Sequence, residues 1–260
     1  MQQVKDPAEE QLSASNSKEV LLIIEDEEAL GEGLRFNFEA EGFDVVWEKD
    51  GLSGMAAIAN LHESVTAVIL DLMLPELDGY EILRRAREIA EQIPIIVLSA
   101  KSLETDKIKA LELGADDYVT KPFSLVELIL RVKGISKRKK WYKNSANDTK
   151  LQLGNAHFSS HKLTVETAGG MVTRISPTEV LLAQTFIDHE NKILTRAELL
   201  EKVWHYDAKM ETRTVDVFVS KLRKYIEENP AKPKFLLSVR GVGYAYVTDL
   251  ELREQLRARG

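Results

Sequence analysis

From Val20 to about Lys137, short apolar runs alternate with amphipathic stretches. Residues 20–24, 45–47, 67–70, 95–98 and 118–119 read as strands, and 28–40, 52–61, 79–90, 103–113 and 125 to about 137 as helices. The strands are almost wholly apolar, the pattern of a parallel sheet covered on both faces, and strand–helix alternation at this spacing predicts such a sheet. Beyond a polar stretch the pattern changes to short β-like runs (157–159, 163–166, 171–175), then helices, then apolar runs flanking Gly241 and Gly243 as in a tight hairpin. Ser124–Glu127, Ser176–Glu179 and Thr195–Glu198 have the Ser/Thr-x-x-Glu spacing of a helix-starting capping box. Pro177 fits a first helical position.

The run Lys137, Arg138, Lys139, Lys140, Lys143 gives way to Asn144, Ser145, Asn147 and Asp148, a helix end entering a linker. The predicted organisation is a disordered lead-in at 1–18, one domain at 19–138, a linker at 139–150, a second domain at 151–248 and a tail at 249–260. Its 260 residues suit two domains of roughly 100–150 residues each. Leu250, Leu252 and Leu256 alternate with charges in the tail, as in a short helix or a frayed end, and no function is assigned to it.

Composition sharpens this picture. The net charge of −7 divides into about −10 for residues 1–149 and +3 for 150–260, an acidic module joined to one suited to a polyanion. The chain has no cysteine, which excludes disulfides and thiolate metal sites and suits a reducing compartment, here expected to be the cytoplasm. Its longest apolar runs are far too short to cross a bilayer, and its start has no hydrophobic signal core, so no membrane association is expected.

The candidate chemistry gathers at strand ends. Glu25 and Asp26 follow the first strand, Asp71 the third, Ser99 the fourth and Lys121 the fifth. Ligands of open α/β sheets bind beyond the carboxyl ends of the strands. Three carboxylates there repel one another unless a hard divalent cation such as Mg2+ joins them. Acids, hydroxyl and ammonium around one crevice suit phosphoryl transfer to a carboxylate, with Asp71 as nucleophile and Lys121 neutralising equatorial oxygens.

In the second half, Val215, Val219, Leu222 and Ile226 form one apolar helix face, while Arg213, Val217, Ser220 and Lys224, with Lys221 beside them, form another stripe. Residues 195–205 form a preceding helix and 206–211 a short polar loop; Arg240 stands beside the hairpin turn. Helix, loop, helix and hairpin describe a winged helix-turn-helix, with basic side chains for phosphates and guanine edges and Arg240 for a minor groove.

The motifs Ile23–Glu27, Leu70–Gly79, Val97–Ala100 and Ala115–Phe123 resemble the receiver domain of bacterial response regulators, over about residues 20–138. Residues 175–179, 198–204, 212–217, 221–224 and 239–244 resemble the effector domain of the OmpR/PhoB family, over about 151–247. The resemblance implies an α/β chain: a flavodoxin-like (βα)5 receiver with strand order 2-1-3-4-5, then an α+β winged helix-turn-helix domain. It implies a two-component transcription regulator, not a turnover enzyme, in which a sensor histidine kinase supplies a phosphoryl group to Asp71. Mg2+ would be held by Asp26, Asp71 and the Met73 backbone carbonyl, with Glu25 acting mostly through water. Ser99 and Tyr118 would be the switch pair.

The resemblance further implies an activated homodimer through Lys107 with Glu127 and Asp117 with Arg131, with Asp116 and Arg138 contributing. Trp204, Arg213, Thr214, Val217 and Ser220 would touch the phosphate backbone of double-stranded DNA, Lys221 and Lys224 the major groove, and Arg240 the minor groove. Arg223 would contact phosphate or pair with an acid in its own domain. Phe218 would meet a thymine methyl or pack. RNA polymerase is a further expected partner. Met73 and Lys101 hold positions that tune phosphate hydrolysis in receivers, and methionine offers no strong hydrogen bond to orient water, so slow autodephosphorylation is expected. Rival readings are a phosphorylation-independent regulator, a dehalogenase-type phosphatase, and a protein tethering polymerase through the 204–211 loop. The intact acids and Lys121 oppose the first. Met73, where that phosphatase class has a second Asp, opposes the second.

Overall fold

The structure is a computed structural model that describes residues 18–90, 92–144, 150–206 and 214–258. Its first half holds five strands, β1 Val20–Ile24, β2 Asp44–Glu48, β3 Val65–Leu70, β4 Ile95–Ser99 and β5 Asp117–Thr120, in one parallel sheet of order β2-β1-β3-β4-β5. Between and after them run α1 Glu28–Ala40, α2 Gly51–Leu61, α3 Gly79–Ile89, α4 Glu104–Glu112 and α5 Leu125–Asn144. Alternate strand residues feed cores on the two sheet faces, Leu22 and Ile24 on one and Leu21 and Ile23 on the other, which is why these strands carry no polar alternation. The expected doubly wound receiver architecture is therefore present.

The second half opens with an antiparallel sheet of β6 Lys150–Leu153, β7 Ala156–Ser159, β8 Thr164–Glu166 and β9 Val172–Arg174. α6 Pro177–Asp188 follows, then β10 Ile193–Thr195, α7 Arg196–Leu199 with a π-helical turn at Leu200–Trp204, and α8 Thr214–Ile226. The hairpin β11 Leu236–Val239 and β12 Gly243–Tyr246 turns at Gly241, whose φ of 72° suits a residue without a side chain, and β10 pairs on its far side. The capping boxes at Ser176/Glu179 and Thr195/Glu198 both close, fixing where α6 and α7 begin. The four predicted inward positions of α8, Val215, Val219, Leu222 and Ile226, are all buried. This is the winged helix-turn-helix expected.

Two local readings change, and the tail takes the helical one of its two expected forms. The stretch read as a linker from residue 139 continues α5 to Asn144, and β6 begins at Lys150. The helix expected over 195–205 is a single α-turn and a π-turn, ended by His205 in the left-handed region. The tail is helical, α9 Leu250–Ala258, and Leu256 packs with Leu237, Ala245 and Val247 under the wing.

The two halves are in contact. α8 packs on α4, and α5 meets α6 and the π-turn. A Cβ on Gly134 of α5 would stand 2.6 Å from the Trp204 carbonyl oxygen, so only glycine permits this approach.

Candidate phosphoryl-acceptor pocket and nucleic-acid interface

Glu25, Asp26 and Asp71 lie where β1 and β3 end, with one carboxylate oxygen of each within 4.8 Å of the others. Asp71 is anchored by its backbone N–H to the Ile24 carbonyl, 3.0 Å, and its Oδ1 accepts from the Met73 N–H at 2.9 Å. Lys121 Nζ donates to Asp71 Oδ2 at 2.6 Å and to Glu25 Oε2 and Oε1 at 2.8 and 2.9 Å. Burial pushes the Glu25 carboxyl up, against the opposing pull of Lys121. Burial works to lower the Lys121 ammonium, but its bonds to Asp71 and Glu25 outweigh that and hold it above the ordinary lysine value. The pocket thus has one fixed cation for three acids, and the exposed Asp26 leaves it open to solvent. Such an oxygen-donor cluster fits a hard divalent metal.

Trp47 is part of this pocket, though sequence reasoning passed over it. Its Nε1 donates to the Glu25 carbonyl at 2.9 Å and fixes the turn carrying both acids. Ser99, fully buried, ends β4, and Tyr118 lies on β5 beside it. The Tyr118 hydroxyl donates to the Lys101 carbonyl at 2.6 Å. Burial, with lesser contributions from Asp106 and Asp71, pushes that phenol up to about 12.

Asp116, Asp117 and Arg131, three of the residues expected on a dimer face, lie against the second half of the same chain. Asp117, wholly buried, binds Arg131 through Oδ2, accepts from the Tyr206 hydroxyl at 2.6 Å, and through Oδ1 accepts from the Thr214 hydroxyl at 3.0 Å. Asp116 accepts from Thr178 at 2.8 Å, from Arg87 at 3.0 Å and from the Ile95 N–H at 2.9 Å. The Arg131 guanidinium sits 4.6 Å from the Tyr206 ring centroid. Arg131 pairs with Asp117 and Glu127 within the chain. Lys107 is half-buried, with no ion pair to Glu127.

This contact also redraws the DNA-facing set. Trp204, expected at the phosphate backbone, is fully buried; its Nε1 donates to the Asp116 carbonyl at 3.2 Å and its ring meets Phe218 edge-on at 5.3 Å. Thr214 and Val217 are buried as well, Thr214 because Asp117 holds its hydroxyl. Phe218 packs. Arg223 makes no ion pair among the described residues: it donates twice to the Leu236 carbonyl, at 2.9 and 2.6 Å, and to Ser238 at 3.0 Å, pinning α8 to the hairpin. Asp216 accepts from Arg196 and Tyr244, an orienting role. Ser220, Lys224 and Arg240 are exposed, Lys221 is half-buried, and Arg213 lies outside the described residues.

Two family models match the chain: the response regulator receiver domain over residues 21–133, and the C-terminal domain of transcriptional regulatory proteins over 170–246. A probable transcriptional regulatory protein of Picosynechococcus sp. is 35% identical over 236 residues, 89% of this chain and 94% of that protein. The sensory transduction protein RegX3 of Mycolicibacterium smegmatis is 37% identical over 225 residues, 86% of this chain and 97% of that one. A solved mutant of RitR shares the fold, with a TM-score of 0.68 at 22% identity over 88% of this chain and 98% of that one. With both models matched in order and relatives aligned along most of its length, the chain belongs to the OmpR/PhoB-type response regulators, two-component proteins that couple a receiver to a DNA-binding domain and regulate transcription.

Proposed function

We propose that Asp71 is the phosphoryl acceptor and that its modification releases a closed, silent form of the regulator. The cluster of Glu25, Asp26 and Asp71 around Lys121 carries this reading. Asp71 Oδ attacks in line the phosphorus of a phosphohistidine on a sensor kinase; the new O–P bond forms as the P–N bond breaks, and the imidazole leaves with the bonding pair and takes up a proton. Asp26, Asp71 and the Met73 backbone carbonyl, with Glu25 behind them, would hold Mg2+, which would supply charge neutralisation. Lys121, kept protonated by its two carboxylates, moves from pairing with Asp71 to a phosphoryl oxygen. Ser99 donates its hydroxyl to another, and Tyr118 gives up its bond to Lys101 and turns inward.

The same face built on α4, β5 and α5 serves two partners in this reading. Unphosphorylated, Asp116 and Asp117 hold the effector domain. Phosphorylated, the face is free for a second copy, through Lys107, Asp116, Asp117, Glu127 and Arg131. Pairing of effector domains on tandem half-sites then raises their effective concentration on DNA. In the open form Trp204, Arg213, Thr214, Val217 and Ser220 meet the phosphate backbone, Lys221 and Lys224 the major groove and Arg240 the minor groove. RNA polymerase is the downstream partner, and the cytoplasm the compartment of action. The functional units are 19–138 and 151–248. The protein is no turnover enzyme, beyond slow loss of its own phosphate.

Incubation with Mg2+ and acetyl phosphate, read by intact mass and oligomeric state, tests this. One phosphoryl adduct accompanied by a shift to dimer, both lost in Asp71→Ala, is the expected result. An adduct that survives the substitution overturns the assignment.

A further inference from the structure

A half-open cavity of about 260 Å³ lies where the two domains meet, lined by Arg87, Leu113 and Gly114 from the receiver and by Arg174, Lys221 and Lys224 from the effector side. That volume falls below the roughly 300 Å³ at which drug-sized ligand pockets begin, so a small occupant is indicated. Its lining is rich in cations. Of the two acids on its wall, Glu179 is already committed, one oxygen accepting from the Ser176 N–H at 2.7 Å and the other from the Tyr225 hydroxyl at 3.0 Å. Glu112 is paired with Lys224 at 3.2 Å. Lys221 has neither a hydrogen bond nor an ion pair among the described residues; its ammonium only stands 4.9 Å from the Phe218 ring centroid.

An ammonium taken out of water without a hydrogen-bonding partner is costly. Burial lowers the Lys221 pKa; Glu179 and Asp116 pull the other way without cancelling it, and Arg87 and Lys224 add smaller downward pushes. Arg87 is itself held rigidly, its Nε donating to the Gly114 carbonyl at 2.9 Å and its Nη2 to Asp116 at 3.0 Å, so the receiver wall is fixed in place. The cavity exists only while the domains are in contact, because its cations come from both.

We propose that this seam cavity binds a small multivalent oxyanion, of the tetrahedral phosphate or sulfate type, which bridges Arg87 to Lys221 and Arg174 and locks the domains closed. The chemistry fits either a free inorganic oxyanion or the phosphoryl head of a small metabolite. Resting on the DNA assignment above, the site makes its ligand and DNA mutually exclusive, since both use Lys221. The ligand would therefore oppose activation without touching Asp71.

Calorimetry on the full unphosphorylated chain tests the site, without Mg2+ and at constant ionic strength set with chloride. Sulfate and glycerol phosphate are the probes. One saturable site is expected, weakened about tenfold or more by Lys221→Met and by Arg174→Gln and restored by Lys221→Arg. Binding of both probes points to a free oxyanion, and binding of glycerol phosphate alone to a metabolite. Absence of saturable binding for both, or binding that neither variant weakens, overturns the proposal. Zero-length carbodiimide cross-linking of Glu112 to Lys224 reports closure separately. A cross-link without anion binding rejects the ligand site alone, whereas no cross-link rejects the closed contact and the site with it.

Discussion

Asp117 and Tyr206, one from the receiver sheet and one from the loop before the recognition helix, are joined by a hydrogen bond of 2.6 Å in a wholly buried setting. Arg131 neutralises the same carboxylate, and Thr214 completes it. A buried charge so fully met is expensive to expose halfway, so the seam should open as a unit. Tyr206→Phe removes the donor yet keeps the ring under Arg131. We expect it to shift the closed-to-open balance about tenfold toward open, the worth of one hydrogen bond to a charged group. Higher affinity of unphosphorylated protein for DNA and a larger radius of gyration in solution scattering are the readouts. Unchanged values in both would show that Asp117 does not hold the domains.

The acid pocket makes a pH prediction. Glu25 has its carboxyl raised by burial, so the folded state binds its proton more tightly than the unfolded chain does. Its contribution favours folding at acidic pH and is lost as pH rises through the folded value, leaving a buried anion at neutral pH. Glu25→Gln should thus raise Tm at pH 7 and leave it nearly unchanged near pH 4, in thermal unfolding followed by circular dichroism. Divalent affinity should fall in the same variant.

Lys121 works in the opposite sense. Its folded pKa is raised, so its pairing with Asp71 and Glu25 stabilises the fold throughout neutral pH and is lost only in strong alkali. Lys121→Met leaves two buried carboxylates facing each other. It should lower Tm at pH 7, by a smaller margin at pH 4 where Glu25 takes up its proton, and abolish phosphoryl uptake from acetyl phosphate.

Met73 exposes a thioether beside Asp71 while its backbone N–H is spent on Asp71 Oδ1. A side chain without strong hydrogen-bonding groups orients no water for attack on the acyl phosphate. The phosphorylated protein should persist for minutes or longer, and Met73→Asn should shorten that lifetime about tenfold, a modest share of what a positioned polar group contributes. Decay of the adduct in intact-mass spectra measures it. A wild-type lifetime of seconds would contradict the assignment.

Arg240, exposed at the wing turn beside Gly241, makes no bond among the described residues. Arg240→Ala should leave Tm unchanged, weaken DNA binding by the activated protein and reduce the slope of log affinity against log salt by about one. Fluorescence anisotropy over a salt series provides both numbers.

The strand pattern and the strand-end chemistry were legible because each rests on local rules: apolar runs for a doubly covered sheet, and functional groups just past the carboxyl ends. The start of α5 was only half legible. Ser124 Oγ does accept from the Glu127 N–H, at 3.4 Å, but Glu127 Oε1 is taken by Arg131, so no full box is made there. β6 and β10 are short and owe their existence to pairing with β7 and β12, which no local pattern announces. The seam was illegible for a related reason. A tryptophan on a helix facing DNA and one facing another domain have the same neighbours in sequence, and only the assembled chain places Trp204 against Asp116.

That bond, with those of Thr178, Tyr206 and Thr214, also bears on how freely such regulators exchange parts. Their two halves look like interchangeable cassettes, and grafting a foreign output onto this input would preserve every signalling residue. It would discard the partners of Asp116 and Asp117. If the closed form is the silent one, as proposed, the chimera would answer to its kinase and yet lack a resting level, because that silence would rest on the pair of domains and on neither one alone.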